Sequence, residues 1–169
     1  MNINNINVNK YPISQILDPE SKTIYEIPKY QREYIWGTKQ WEELFNDLME
    51  NGTGYFLGSI ICINTTQDTL NNPKFEVVDG QQRLTTLSLL LAALYVTLDS
   101  NRDSLDEDQQ SDILQLKRKL VIKKTQSEIR IVPQVQHKNH EDYMGLLADK
   151  KIIAPHQTPK FAGNRRIFQ

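Results

Sequence analysis

Two short polar segments carry side chains that could bind a phosphate group or a base. The first, IPKYQREYIW at residues 27–36, places cations between aromatic rings directly after a predicted strand. Such a mixture can hold phosphate oxygens and stack a base. From composition alone, an aromatic cluster that closes the core, with Arg32 in an ion pair, is an equally good interpretation.

The second segment, VVDGQQRLTTL at residues 77–87, predicts a buried strand, a turn at Asp79 and Gly80, and a helix that begins at once. Helix amino ends offer unpaired N–H groups and positive potential, which favour anions. The first turn supplies side chains that can contact phosphate oxygens or a base edge: Gln81, Gln82 and Arg83. Asp79 could hold Mg²⁺ or orient a water, or it could simply be the N-cap of the helix. The spacing is not that of a Walker loop.

Hydrophobic periodicity predicts the elements that position these segments. We expect strands over residues 23–27, 55–63 and 74–78, the last two forming an antiparallel hairpin, and a short strand near residues 130–133. We expect a helical turn near residue 14 and helices from Thr38 to about Gly52, over residues 84–98, from about Ser111, and over residues 140–149. The uncharged helix over residues 84–98 is too short to span a bilayer, so it forms the buried centre of a mixed α+β fold.

Length and composition limit the number of domains and the classes of protein to which this sequence can belong. The chain has 169 residues, 38% of them hydrophobic and 24% charged, which suits one globular domain with or without an appendage. The single cysteine, Cys62, cannot form an internal disulfide, and in an apolar strand it is a core residue rather than a nucleophile. The amino terminus lacks the pattern of a signal peptide, so we expect a cytoplasmic protein.

The net charge of −1 hides an uneven distribution. Residues 1–98 carry 7 basic and 11 acidic side chains, and residues 99–112 carry 1 and 6 in what reads as an acidic, solvated loop. Residues 113–169 carry 12 basic and 4 acidic side chains, which raises the prospect of a polyanionic partner. The candidate DNA-facing side chains are Lys117, Arg118, Lys119, Lys123 and Lys124, although a solvated helix end explains them about as well.

Taken together, the motifs resemble those of the GmrSD family of modification-dependent restriction proteins. The resemblance rests on IPxYQRxYxW at residues 27–36, FLGSI at residues 56–60 and VDGQQRLTTL at residues 78–87, with weaker support from residues 129–133 and 164–167. It implies a ParB/sulfiredoxin-like core over residues 1–100, followed by a helical, basic extension over residues 101–169.

The resemblance also implies a domain of an anti-phage defence system that binds and hydrolyses a nucleoside triphosphate (NTP) and regulates a nuclease domain. The nucleotide-binding residues it implies are Tyr30, Gln31, Arg32, Gly58, Ser59, Gly80, Gln81, Gln82, Arg83 and Thr85. Asp79 and Arg83 would be catalytic, and Asp79 would hold Mg²⁺. Because this sequence ends at Gln169, we expect no nuclease activity from it.

Two other functions remain open from the sequence. The basic tail and the aromatic-cationic segment suit a non-catalytic module that senses modified double-stranded DNA. Alternatively, the turn at Asp79 is only a helix cap in an inert scaffold. Self-association of the chain is a further possibility, as is the presence of the nuclease domain as a partner in the full-length protein.

Overall fold

The structure, a computed structural model, describes residues 10–67, 72–122, 128–135 and 138–154. Along the chain the elements are α1 (Ile13–Ile16), β1 (Ile24–Glu26), α2 (Thr38–Glu50), β2 (Ile61–Asn64), β3 (Lys74–Asp79), α3 (Gln81–Asp99), a 3₁₀ turn (Arg102–Ser104), α4 (Glu107–Leu120), β4 (Ile131–Val132) and α5 (Asn139–Asp149). These helices and the four-stranded mixed sheet confirm the predicted α+β class.

The four strands form one sheet in the order β2-β3-β1-β4. β2 and β3 form the predicted antiparallel hairpin, whereas β1 runs parallel to both β3 and β4. The carboxyl ends of β1, β3 and β4 therefore lie at the same edge of the sheet. The sheet takes strands from both sides of residue 100, because β4 pairs directly with β1.

Helix α3 connects two hydrophobic cores. Its first half packs on the sheet, where Leu84 joins a buried cluster that includes Val77 and Ile131. Its second half, through Ala92 and Tyr95, packs in a second cluster with residues of α4 and α5. The predicted central, buried helix is thus confirmed. In the part of the chain that the structure describes, no helix is both long and apolar enough to cross a membrane.

Two predicted boundaries were wrong. Strand β2 begins at Ile61 rather than residue 55, since Gly58 adopts a left-handed backbone with φ 100° that a strand cannot contain. Helix α4 begins at Glu107, inside the segment predicted as an acidic loop. Asp106 caps it: the Asp106 carboxylate accepts from Gln109 N at 2.8 Å, and the Gln109 side chain accepts from Asp106 N.

One fully buried arginine ties the sheet to the helices. Arg130 precedes β4, is 0% exposed, and donates to four backbone carbonyls at 2.8–3.3 Å. Two of these, Arg118 O and Lys119 O, lie in the last turn of α4, where the helix dipole is negative. The other two, Ser21 O and Thr23 O, lie just before β1. Burial lowers the pKa of Arg130.

We expect Arg130→Met to lower the free energy of unfolding by about 3 kcal/mol or more, since four carbonyls lose a charged donor in the interior. Urea unfolding followed by circular dichroism measures the change. Arg102→Met is the matched control, because the Arg102 side chain is partly exposed and forms a surface ion pair with Asp99 at 3.7 Å. Equal losses in the two variants would contradict the role assigned to Arg130.

Candidate functional site

The candidate site lies at the edge where the parallel strands end and α3 begins. β3 ends at Asp79, Gly80 makes the turn, and Gln81 is the first residue of α3. β4 ends at the same edge of the sheet, with β1 between it and β3, and is followed by Pro133 and Gln134. Open sheets with parallel strands bind ligands beyond these carboxyl ends, where loops and helix amino ends converge.

Gly80 allows the tight passage from strand to helix. Its φ of 88° lies in the left-handed region, and a Cβ placed there would lie 2.8 Å from Ser59 O. Gly80 is itself the N-cap, so no side chain caps α3. The interpretation of Asp79 as the N-cap is therefore wrong: Asp79 is the last residue of β3 and pairs with Ile61.

The buried side chain of Gln82 binds the backbone of the first polar segment. Its Oε1 accepts from Ile35 N at 2.9 Å and from Trp36 N at 3.3 Å, while its Nε2 donates to Glu33 O at 2.9 Å. These bonds join residues more than forty positions apart in the chain. The side chain is thereby committed to holding this segment on α3.

Gln81 and Gln31 extend the same arrangement. Gln81 Nε2 donates to Gln31 Oε1 at 3.1 Å and to Arg32 O at 3.0 Å, and Gln31 Nε2 donates to Val78 O at 2.6 Å. We call Gln31, Gln81 and Gln82 the glutamine clasp. The sequence predicted that these three residues contact a nucleotide, which stays a prediction. In the structure their amides join the two polar segments to each other.

Arg83 presents its guanidinium beside the turn. Arg83 Nη1 donates to Ser59 O at 3.2 Å, and a Cβ built on Gly58 would lie 2.6 Å from the guanidinium carbon. Gly58 thus leaves the space that the Arg83 head group occupies. The structure brings together four predicted site residues at this point: Gly58, Ser59, Gly80 and Arg83.

The remaining residues of the predicted set are divided between the surface and the interior. Asp79 and Arg32 are exposed. Tyr30 is also exposed, and its hydroxyl donates to Glu76 Oε1 on β3 at 2.5 Å, which raises its pKa. Thr85, by contrast, is buried on the inner side of α3 and lines a small pocket.

That pocket contains polar groups that the sequence did not single out. Gln134, Asn139 and Asp142 line it together with Gln81 and Thr85, and its volume is about 30 Å³. Burial raises the pKa of Asp142, with Lys138 opposing and Glu141 adding to the shift. The available signal was the position of Gln134, which directly follows the short strand predicted near residues 130–133.

Tyr34 closes one side of the same pocket. Its oxygen accepts from Trp41 Nε1 at 2.6 Å and lies 2.7 Å from Thr86 Oγ1. Burial raises the pKa of Tyr34, while the hydrogen bonds with Thr86 and Trp41 oppose the shift. The aromatic-cationic segment therefore contributes a half-buried tyrosine at this edge, in addition to exposed cations.

The candidate DNA-facing side chains of α4 each contact another part of the fold. Lys117 Nζ lies 5.6 Å from the centre of the Tyr95 ring, Arg118 faces Glu20 at 3.4 Å, and Lys119 donates to Leu17 O. Lys123 and Lys124 lie outside the described residues, as do residues 164–167 of the weaker motif. A DNA-facing role for this group stays a prediction.

We expect Gln82→Leu to lower the free energy of unfolding by about 2 kcal/mol, because two backbone N–H groups and one carbonyl lose their partner. The segment over residues 31–36 should also open locally, so trypsin should cut faster after Lys29 or Arg32. Urea unfolding and timed proteolysis measure the two effects. The exposed Gln67→Leu should change stability by less than about 0.5 kcal/mol. Unaltered proteolysis in Gln82→Leu would contradict the clasp.

Comparison with known proteins gives the family of this chain. A search of curated protein sequences finds no match. A family model described as the N-terminal domain of the GmrSD restriction endonuclease matches residues 13–166, which include the turn at Gly80, the glutamine clasp and the pocket. The chain belongs to the GmrSD restriction endonuclease N-terminal domain family.

Proposed function

We propose that this domain binds a nucleoside triphosphate with its phosphates at the amino end of α3, and hydrolyses it with Mg²⁺. In the full restriction protein, this step would regulate the nuclease domain. The observation that carries the proposal is an uncapped helix amino end, reached through a left-handed glycine, with a guanidinium held beside it.

The backbone supplies the first part of the phosphate site. The N–H groups of residues 81–83 have no acceptor within the helix, since they belong to its first turn. Because Gly80 is the N-cap, no side chain competes with an anion for these groups. The helix dipole adds positive potential at the same point.

Side chains supply the rest of the charge. Arg83 remains partly exposed while Ser59 O fixes one of its nitrogens, so its other donors are free to face an anion. Arg32 is exposed, and its carbonyl is anchored by Gln81 close to the first turn of α3. Phosphoryl transfer depends mainly on such positioning and charge stabilisation.

The donor set suits a metal ion that arrives with the nucleotide. Among the described ranges, no three His, Cys, Asp or Glu side chains are grouped so as to hold a metal. Mg²⁺ in nucleotide sites is commonly held by one or two carboxylates together with substrate phosphates. Asp79, exposed at the end of β3, would supply that carboxylate, and the ion would neutralise phosphate charge.

We expect Arg83→Gln to weaken binding of Mg²⁺–ATP or Mg²⁺–GTP about 10- to 100-fold, as loss of a charged hydrogen bond to phosphate implies. Isothermal titration measures the affinity. Arg102→Gln is the control, because it removes an arginine that belongs to the 3₁₀ turn and pairs with Asp99 at the end of α3. The phosphate site is contradicted when Arg83→Gln binds as tightly as wild type.

We expect Asp79→Asn to reduce release of inorganic phosphate from saturating NTP and Mg²⁺ at least about tenfold, because the neutral amide neither binds Mg²⁺ well nor polarises a water. Affinity for NTP without Mg²⁺ should change little. Asp103→Asn, an exposed substitution on the 3₁₀ turn, should retain the wild-type rate. Equal turnover by wild type and Asp79→Asn would remove Asp79 from the reaction, and no turnover by wild type would contradict hydrolysis.

A further inference from the structure

The buried side-chain amide of Gln134 has no hydrogen-bond partner in the part of the chain that the structure describes. The residue is 2% exposed, and neither its Oε1 nor its Nε2 has a hydrogen-bond partner within the described ranges. Buried amides in folded proteins are nearly always paired, so this exception requires a physical reason. Gln134 lines a small pocket, and a group that enters it could supply partners for these two atoms.

The backbone holds this amide in place. Pro133 precedes Gln134 and has a fixed φ, while His140 N donates to Gln134 O at 3.1 Å from the start of α5. The backbone of Gln134 is therefore anchored between the end of β4 and the beginning of α5. Its side-chain amide carries one donor and one acceptor side by side.

The pocket around the amide has the make-up of a small-molecule subsite. The residues that line it include Ile27, Leu89, Tyr34, Thr85, Asn139 and Asp142, and most of the lining surface is apolar. Ligand pockets combine apolar walls with a few convergent polar groups in this way. The free volume, about 30 Å³, holds about two water-sized groups.

The pocket adjoins the proposed phosphate site through Gln81. That residue lines the pocket, and its backbone N–H is the first of α3. A ligand with phosphates at the amino end of α3 and a polar ring edge at Gln134 would occupy both places. A nucleotide has these two parts, and nucleobases carry a donor next to an acceptor on one edge, as adenine does at N6 and N7.

We infer that Gln134 is the base-reading residue of the nucleotide site: its amide donates one hydrogen bond to the edge of the nucleobase and accepts another from it. The inference rests on the proposed function, since it assigns the base end of the same ligand. Gln134 would select among bases, whereas Arg83 and the α3 amino end would bind any triphosphate.

The test compares thermal shifts produced by ATP, GTP, CTP, UTP and inorganic tripolyphosphate, each with Mg²⁺, on wild type, Gln134→Met and Gln110→Met. Wild type should be stabilised more by at least one NTP than by tripolyphosphate, since bound ligand raises the melting temperature. Gln134→Met should lose that difference, with about tenfold or greater weakening for the preferred NTP, and keep the response to tripolyphosphate.

The control variant separates ligand binding from folding. Gln110 donates to Arg102 O and Leu105 O, so Gln110→Met should lower the melting temperature of the free protein yet retain the NTP response. Gln134→Met removes an amide without partners and should leave the free protein equally stable or more stable. A large loss of stability in Gln134→Met with an intact NTP response would show that the amide holds structural water only, which overturns the inference.

The other outcomes are equally decisive. An NTP response in Gln134→Met equal to that of wild type overturns base reading and leaves the proposed phosphate site standing. Equal thermal shifts of wild type with NTP and with tripolyphosphate would also overturn base reading and leave the proposed phosphate site standing. No shift by any of these probes overturns the proposed function together with the inference. A shift that depends on Gln134 but appears only with a single-stranded oligonucleotide overturns the assignment to a free nucleotide.

Discussion

The passage from β3 into α3 depends on one left-handed residue. Gly80 lets the chain turn within a single position, and the 2.8 Å approach of Ser59 O leaves no room for a Cβ. Because the turn is this short, Asp79 stays in the sheet, the first turn of α3 starts uncapped at the sheet edge, and Gln81 and Gln82 point back into the fold. Each later feature of the candidate site follows from this geometry.

The polar residues next to this turn divide into two groups. Gln81 and Gln82 are buried and Gln31 is half-buried, and their amides bind backbone groups and one another, so that the segment over residues 31–36 is fixed against α3. The charged residues, Asp79 and Arg83, are left accessible. Although all of these polar residues are of types that bind ligands, the glutamines instead hold the segment over residues 31–36 against α3. The charged side chains and the first backbone N–H groups of α3 are left accessible to an anion.

Local pattern predicted the element types well, because the apolar spacing of α2 and α3 and the β-branched run of β3 are properties of short windows. The parallel pairing of β1 with β3 and β4 was not predictable in this way, since it joins residues tens of positions apart. The same holds for Arg130, whose four carbonyl partners come from two separate segments. The motifs showed which residue types form the candidate site. They could not show which of these residues are buried and hydrogen-bonded and which are exposed, because that depends on tertiary contacts.

Two buried glutamines at the same sheet edge differ in hydrogen bonding, and this difference separates a supporting residue from a candidate site residue. Gln82 uses both ends of its amide in three bonds to backbone, so it contributes to folding in the absence of any ligand. Gln134 is equally buried and makes no such bond among the described residues, so it opposes folding until something enters its pocket. A side chain that costs stability in the free protein and regains it on binding makes affinity depend on the ligand's own pattern of donors and acceptors. In the proposed nucleotide site, this dependence would select one base over another, which contacts to the phosphates alone could not do.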